Sequence, residues 1–339
     1  MTEIFLSYGN ISIFYSSVII ALGAASCLCL TWSLYRANHG KGSVLCLFLL
    51  LSTILSVVFS RILHWYCHSE QYENFFTAVT DYSTGGFIFS GVIIGISVSY
   101  FVVSLLHMNK DPARILDCSA PGTAVLIILV RVSSLFNTSC RGKITVRDPA
   151  LQRLPISSKI IDAAGNAEFR FATFFVEAIL LAVLLILILI FFSKTKNTPA
   201  KNGKNNSGGV WLHFLLWYCA IEIVMDSTRY DSSFTPFNGF VSIVQTFCGV
   251  IMLAVLIYYS VRAVKADRLK AYHCIIWFGW FVSLAAAGIS EYLVQRHGDW
   301  YLSCYFLMSL SLVIMAVLTV RMYRRQCDIP PSEQTFGTR

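Results

Sequence analysis

The sequence predicts an all-α polytopic membrane protein with about nine transmembrane helices and a small extracytoplasmic insertion after the fourth. Composition gives the first two observations. Of the 339 residues, 56% are hydrophobic and 13% are charged, and the mean hydropathy is +0.65. The third is that apolar residues fall in blocks of about 20, the length that a helix needs to cross a bilayer. Such a composition excludes an ordinary soluble domain.

The apolar blocks are expected to be helical because the bilayer core offers backbone N–H and C=O groups no partner outside their own segment. Polar or charged turns separate one block from the next. The predicted spans lie near residues 12–35, 43–64, 85–107, 119–137, 169–193, 210–226, 239–262, 272–292 and 301–321.

The first span sets the orientation. It follows "MTEIFLSYGNISIFYSS", which contains no Lys or Arg. A cleaved signal peptide carries positive residues before its apolar stretch, so this block is expected to remain as a span with the N-terminus outside. Nine spans then put the C-terminus in the cytoplasm, and more than half of the 26 Lys and Arg residues fall on inside segments. This asymmetry indicates a multi-pass protein of the cell membrane.

Ionisable residues inside the spans are few, and each costs on the order of 3 kcal/mol at a helix centre. They are therefore expected to face the interior of the bundle. Guanidinium groups bind phosphate through two parallel hydrogen bonds, so arginines and acids together favour a cavity that holds an anionic phospholipid headgroup. The residues are Arg61 in the second span, Arg131 in the fourth, Glu177 in the fifth, and Glu222, Asp226 and Arg229 in or just after the sixth.

The sixth span carries the densest group of polar residues. Asp226 lies four residues after Glu222 and three before Arg229, and Tyr218 lies four residues before Glu222. At this spacing all four side chains share one helix face, which is expected to point into the bundle. For Arg229, snorkelling to the headgroups remains an alternative.

Two polar segments separate spans in the middle of the chain. Residues 194–209, "KTKNTPAKNGKNNSGG", are interpreted as a flexible cytoplasmic linker. Residues 138–168 are basic although they lie on the outer side, where Lys and Arg are usually scarce, and this makes them a candidate functional head. A loop that only joins two spans is the alternative, because long outside loops are largely exempt from the charge rule.

Three stretches add a motif signal: "TGGFIFSGVIIG" (84–95), "APGTAVLIILVRVSSLFNTSCRG" (120–142) and "YCAIEIVMDSTR" (218–229). In order and spacing they resemble three stretches of the prolipoprotein diacylglyceryl transferase family, and the resemblance covers a membrane core of residues 10–262. Arg131, Asn137 and Gly142 keep their places in the family's pattern around the fourth span. In the second span, "SRILHWY" is similar to another family motif, with Arg61 in register.

The resemblance implies an enzyme that transfers the diacylglyceryl group of phosphatidylglycerol to the thiol of the lipobox cysteine in secreted precursor proteins. Glycerol phosphate is the leaving group of that reaction. The resemblance implies catalytic roles for Arg131, Asp226 and Ser90. No metal is expected, because no Cys/His metal-ligand spacing is present in the sequence. It implies substrate-binding roles for Arg61, Asn137, Gly142, Tyr218, Glu222 and Arg229.

Two departures from the family bear on this chemistry. Ser90 stands where the family has a His that is a candidate base, and Glu222 stands where it has an Arg. The second change alters the local charge by two units and disfavours phosphate binding. His64 or His68 could replace the base. The alternatives are a transferase of another lipid or acceptor, a paralogue that binds lipid or precursor without turnover, and, from another class, a transporter.

Residues 263–339 add two spans and a cytoplasmic tail beyond the region of resemblance, with a small-residue run suited to helix packing. No phosphate-loop, dinucleotide or zinc fingerprint is present in the sequence, so no cofactor is expected. The net charge of +8 is explained by inside loops at the membrane surface, so nucleic acid is not an expected partner.

Overall fold

The chain is mostly helical, and the residues that the structure describes include eight helices long and apolar enough to cross a membrane. This agrees with the predicted class, an all-α multi-pass membrane protein. The structure, a computed structural model, describes residues 4–8, 11–68, 72, 74–80, 86–106, 112–136, 140–161, 167–197, 207–234, 239–296 and 300–328.

The described elements are eleven α-helices, a 3-10 turn and four strands. A 3-10 turn, Ser134–Phe136, continues helix α5. The helices are α1 (Tyr15–Ala37), α2 (Gly42–Cys67), α3 (Phe75–Thr80), α4 (Phe89–Leu105), α5 (Ala113–Ser133), α6 (Pro149–Gln152), α7 (Thr173–Asn197), α8 (Gly209–Thr228), α9 (Ile243–Asp267), α10 (Ala271–Arg296) and α11 (Tyr301–Asp328). The strands are β1 (Ile4–Tyr8), β2 (Ile11–Phe14), β3 (Ser157–Ile161) and β4 (Ala167–Phe171).

The number of spans differs from the prediction at one helix. Helix α4 occupies the third predicted span but has only 17 residues, at the lower limit of what crosses a bilayer. The count of nine is therefore not confirmed, since in the described ranges eight helices reach the full length and α4 is a shorter apolar one.

Two antiparallel hairpins were not predicted. Strands β1 and β2 pair before the first span, with Leu6 opposite Ile13. Strands β3 and β4 pair between α5 and α7, with Ser157 opposite Phe171. The second hairpin lies where the sequence predicts the extracytoplasmic insertion, and its position outside the membrane stays a prediction.

The chain forms two compact units. The first, called the N-terminal unit below, contains residues 2–133 and 207–211; the second, called the C-terminal unit, contains residues 134–206 and 212–339 together with Met1. The proposed boundary between a core of residues 10–262 and an addition of residues 263–339 is a different division and stays a prediction.

Glycines set the helix packing of the N-terminal unit, in which α1 packs on α5 and α2 packs on α4. A Cβ atom on Gly122 of α5 would lie 2.7 Å from the Thr31 hydroxyl and 2.8 Å from the Cys27 carbonyl oxygen of α1. On α4, Gly91 and Gly95 meet the backbone of α2 so closely that a Cβ on either would overlap it. Small residues of this kind let membrane helices approach at backbone distance.

A buried carboxylate caps helix α8. Asp117 on α5 accepts hydrogen bonds from the Gly208 N–H at 2.7 Å and from the Trp211 N–H at 3.0 Å. These are among the first N–H groups of α8, which have no partner within the helix. Asp117 is 5% exposed, so water is a poor substitute for it.

Asp117→Ala is expected to lower the free energy of unfolding by about 1–2 kcal/mol, the usual effect of losing a helix cap. Urea or SDS titration of the purified protein measures it. Asp148→Ala is the control, because Asp148 caps only the four-residue α6 at an exposed site. Equal effects of the two substitutions would contradict the role given to Asp117.

The core of the C-terminal unit lies between α9, α10 and α11. A buried cluster there consists of Val255, Tyr259, Ala263, Ile276 and Met322. Helix α11 packs on both α9 and α10. The two helices beyond residue 262 are thus packed as part of this unit.

Candidate functional site

A buried ionic cluster in the C-terminal unit surrounds Arg229. Its Nη2 lies 2.5 Å from Glu177 Oε2, and its Nη1 lies 3.1 Å from Glu222 Oε1 and 3.5 Å from Asp226 Oδ1. Arg229 is 8% exposed and Glu177 is fully buried. The common face predicted for Glu222, Asp226 and Arg229 is confirmed, and Arg229 is buried among acids instead of extending to the surface.

The end of α8 positions this cluster. The helix ends at Thr228, and the Arg229 N–H still donates to the Asp226 carbonyl at 3.1 Å. The chain then leaves the helix, and the Tyr230 N–H donates to the Arg141 carbonyl at 2.9 Å. Arg229 is therefore held by the backbone on both sides, which fixes the direction of its side chain.

Gly142 allows the segment after α5 to approach the end of α8. It forms an isolated β-bridge with Arg229, and its N–H donates to the Phe171 carbonyl at 2.9 Å. A Cβ at Gly142 would overlap that carbonyl oxygen. The structure thus gives Gly142 a packing role beside the cluster, and its predicted contact with substrate stays a proposal.

Asp226 also connects α8 to the start of α9. The Ser242 hydroxyl donates to Asp226 Oδ2 and accepts from the Gln245 N–H at 3.0 Å, while Gln245 Oε1 accepts from the Ser242 N–H at 2.9 Å. The two residues form a capping box at the N-terminus of α9. Gln245 Nε2 also donates to the Ile223 carbonyl at 3.1 Å, so the start of α9 is attached to α8 at two points.

The cluster holds three carboxylates and a single guanidinium, an excess of two negative charges when all are ionised. Burial lowers the pKa of Arg229, but the charges of Glu177 and Glu222 outweigh it and raise this pKa well above its ordinary value. Arg229 is therefore positive at every physiological pH. Its charge is neutralised by its own neighbours, which leaves little of it for a bound phosphate.

A chain of hydrogen bonds leads from the end of α8 to α10. Ser227 Oγ donates to Glu291 Oε2 at 2.6 Å, and Gln295 Nε2 donates to Glu291 Oε1 at 2.7 Å. Lys143 Nζ donates to Gln295 Oε1 at 2.8 Å. The Tyr305 hydroxyl on α11 donates to the Ser227 carbonyl at 3.1 Å. Both helices beyond residue 262 thus contribute polar groups beside the ionic cluster.

Sequence reasoning missed several of these polar groups. Glu291 carried the signal used for the other acids, a carboxylate inside a predicted span, and Lys143 directly follows the motif glycine Gly142. Gln295 is uncharged, and its contact with Lys143 joins positions 152 residues apart, so no sequence signal distinguished it. The spacing of Ser242 and Gln245 is that of a capping box, which predicts the start of a helix and not a contact with Asp226.

Three predicted site residues belong to the N-terminal unit. Arg131 is 6% exposed in the last turn of α5, and Ser90 is 4% exposed in the first turn of α4. Arg61 is 1% exposed on α2. The structure brings Gly142, Glu222, Asp226 and Arg229 together in the other unit, with Tyr218 buried two turns before Asp226 and stacked on Phe214. Asn137 lies outside the described residues.

Arg61 binds backbone carbonyl groups. Its Nε donates to the Ala78 carbonyl and its Nη1 donates to the Gly86 carbonyl at 2.9 Å. Its guanidinium carbon also lies 5.5 Å from the centre of the Tyr72 ring and 5.7 Å from that of Phe87. These contacts attach the segment between α2 and α4 to α2, and its predicted role in substrate binding stays a proposal.

His64 and His68, the suggested substitutes for the missing base, form a local aromatic group at the end of α2. Their rings stack with centroids 4.5 Å apart, and the Tyr72 hydroxyl lies 3.3 Å from His64 Nδ1. Gly86, with a φ of +81°, packs against the His64 ring. The structure thus gives His64 a packing role within the N-terminal unit.

The ionic cluster consists of one guanidinium and three carboxylates whose oxygens can accept protons. Within the described ranges, no group of three or more His, Cys, Asp or Glu side chains is arranged to hold a metal ion. The carboxylate oxygens of the ionic cluster contact Arg229 and the Ser242 hydroxyl. Such a cluster can orient a polar headgroup and accept a proton from a donor brought to it.

Comparison with known proteins identifies the family. No curated protein matches the chain. The sequence profile of the prolipoprotein diacylglyceryl transferases matches residues 3–261, which is well over half of the 339 residues. This range nearly coincides with the 10–262 over which the motifs show their resemblance. The chain therefore belongs to the prolipoprotein diacylglyceryl transferase family.

Proposed function

We propose that this protein transfers the diacylglyceryl group of phosphatidylglycerol to the lipobox cysteine of secreted prolipoproteins in the cell membrane. The observation that carries the proposal is the family match over residues 3–261. Membership implies a membrane transferase of the prolipoprotein type. Phosphatidylglycerol as donor, the lipobox thiol as acceptor, and an N-terminus outside with a cytoplasmic C-terminus are parts of the proposal.

The reaction requires a thiolate, a reactive glycerol carbon and a stabilised leaving group. The cysteine sulfur attacks the carbon of the diacylglyceryl group that is bonded to the phosphate oxygen. The bond between that carbon and that oxygen breaks, and glycerol phosphate leaves with the electron pair. A cation lowers the barrier by countering the charge that develops on the phosphate. We assign this role to Arg131, whose guanidinium is buried in α5.

The proton of the thiol needs an acceptor within the protein. Ser90 stands where the family has a His, and a neutral hydroxyl is a poor proton acceptor at neutral pH. Asp226 is the acceptor we propose, because the Ser242 hydroxyl holds its Oδ2 in place while its Oδ1 makes the longest of the three contacts with Arg229, at 3.5 Å. Tyr218 and Glu222, on the same helix face, would bound the acceptor pocket.

The ion pair between Arg229 and Glu222 favours one alternative. With Glu222 Oε1 only 3.1 Å from Nη1, Arg229 is committed to a carboxylate that stands where the family has an arginine. A protein that binds lipid or precursor without turnover would tolerate this loss of positive charge, whereas an efficient enzyme must replace it. Measuring binding and transfer separately distinguishes the two.

Arg131→Ala is expected to abolish transfer from labelled phosphatidylglycerol to a lipobox peptide, because loss of a charge-stabilising group of this kind lowers kcat about 100- to 1000-fold. The assay uses the purified full-length protein in lipid nanodiscs. Arg153→Ala, which removes an exposed arginine, is the control.

Two results would contradict the proposal. Transfer that persists in Arg131→Ala would remove Arg131 from the chemistry. Absence of transfer in the unmodified protein, with phosphatidylglycerol still bound in an Arg131-dependent way, would favour the non-catalytic alternative.

A further inference from the structure

A lipid phosphate at this site needs a cation that the ionic cluster does not supply. Arg229 faces three carboxylates, one of which, Glu222, replaces a family arginine. A phosphate next to it would add more negative charge to a cluster that already has an excess. The proposed function therefore predicts a second cationic group near the end of α8.

Two arginines of the C-terminal unit near this point already have partners. Arg170 forms an ion pair with Glu168 at 2.8 Å and lies over the Tyr230 ring. Arg141 donates to the Lys159 carbonyl at 3.3 Å and has further interactions of its own. Arg170 would have to give up its ion pair with Glu168 to bind a phosphate.

Lys143 differs from Arg170 in its partner. Its ammonium group donates to the amide oxygen of Gln295, a neutral acceptor, at 2.8 Å. Within the described residues, the bond to Gln295 is the hydrogen bond that the Lys143 ammonium makes. No carboxylate of the described residues forms an ion pair with this ammonium. An ammonium has three N–H donors, so two remain for a ligand.

The backbone places Lys143 beside the cluster. Its N–H donates to the Thr228 carbonyl at 2.9 Å, one residue before Arg229. Its side chain then extends toward α10, where Gln295 is itself held by Glu291 at 2.7 Å. The ammonium is thus fixed at both ends of the side chain, and a fixed cation binds an anion at a smaller entropic cost than a mobile one.

Partial loss of hydration favours an anionic ligand at Lys143, whereas the nearby carboxylates Glu291 and Asp226 oppose one. Burial lowers the pKa of Lys143, and the charges of Glu291 and Asp226 offset this only in part. A half-buried ammonium that has lost water gains stability when an anion comes to it. Lysine is a common phosphate-binding residue in proteins, where it acts as a point charge.

We propose that Lys143, held in place by Gln295 and Glu291 of α10, binds the phosphate group of the lipid substrate and replaces the positive charge lost at Glu222. This inference rests on the proposed function for the identity of the lipid. It also gives α10 a task, since α10 lies outside the family match of residues 3–261 and yet holds the lysine in place.

The test compares Lys143→Gln with Lys143→Arg in the full-length protein in nanodiscs. Lys159→Gln, which removes an exposed lysine of β3, is the matched control. Binding of labelled phosphatidylglycerol and of zwitterionic phosphatidylcholine is measured first, and the KM and kcat of transfer second. We expect Lys143→Gln to weaken phosphatidylglycerol binding about tenfold, the usual effect of losing one charged hydrogen bond.

Three further results are expected. Phosphatidylcholine binding changes by the same factor if the phosphate alone is recognised, and by less if the net negative charge matters. Lys143→Arg restores phosphatidylglycerol binding. In Lys143→Gln, the KM of transfer rises by a larger factor than that by which kcat falls. Inorganic phosphate competes weakly with phosphatidylglycerol if the site takes a lipid headgroup, and as strongly as the lipid if it takes free phosphate.

The inference is overturned if Lys143→Gln binds phosphatidylglycerol as the unmodified protein does, or if Lys143→Arg fails to restore binding while its thermal stability is unchanged. Because binding is measured apart from transfer, the two proposals fail separately. If the protein binds phosphatidylglycerol through Lys143 but transfers nothing, the proposed transferase function is wrong and the proposed phosphate site at Lys143 is supported.

Discussion

Replacing Arg229 by methionine is expected to lower the free energy of unfolding by about 3–5 kcal/mol, the largest effect of any single substitution proposed for this chain. The reason is that Glu177, Glu222 and Asp226 would remain buried without their common cation. A buried charge that loses its partner keeps the whole penalty of having left water. Methionine fills a similar volume, so the effect measures charge more than packing.

Titration with SDS in mixed micelles, followed by circular dichroism, measures this change. Arg153→Met is the control, because Arg153 is exposed and its loss should change stability by less than about 0.5 kcal/mol. In the Arg229→Met background, adding Glu177→Gln and Glu222→Gln should recover most of the lost stability. A fully stable Arg229→Met protein would show that the carboxylates hold protons of their own and need no cation.

Valine at Gly91 or Gly95 is expected to separate α2 from α4. Each glycine lies so close to the backbone of α2, at Ser60 and Ser56, that even a Cβ atom would overlap it. Backbone cannot move aside as a flexible side chain can, so the helices must shift apart. Overpacking of this kind costs about 1–3 kcal/mol or more per site, and valine adds two further carbons.

Thermal unfolding and the yield of folded protein measure the effect of these valines. Alanine at Gly249 and at Gly288 is the matched control, because a Cβ at either position would have no neighbour within 4 Å. Those alanines should leave stability unchanged or raise it by up to about 1 kcal/mol through helix propensity. Equal destabilisation by all four substitutions would show that glycine serves flexibility in these helices and not close packing.

The ionic cluster was predictable from the sequence because it depends on local periodicity. Asp226 lies four residues after Glu222 and three before Arg229, so helix geometry alone places the three on one face. Glu177 was singled out as an acid in a span, but its contact with Arg229 joins positions 52 residues apart. Residue spacing predicts which side chains share one face of a helix. It does not predict which residue of another helix contacts that face.

The link to α10 was not predictable for the same physical reason. Lys143 and Gln295 are 152 residues apart, and nothing in the charge pattern of either segment favours an ammonium and an amide over water as partners. The two hairpins were missed because hydrophobic blocks of about 20 residues dominate the sequence and hide short strands beside them. The short α4 was predicted longer for a related reason, since apolar residues continue before its first turn.

The hydroxyl of Ser242 gives the cluster one more property. A serine hydroxyl has one hydrogen, and here that hydrogen points to Asp226 while the lone pairs receive the Gln245 N–H. The side chain cannot rotate without breaking both bonds together. The consequence is that one hydroxyl serves both helices, so loss of the charge of Asp226 would weaken the bond that orients the cap of α9.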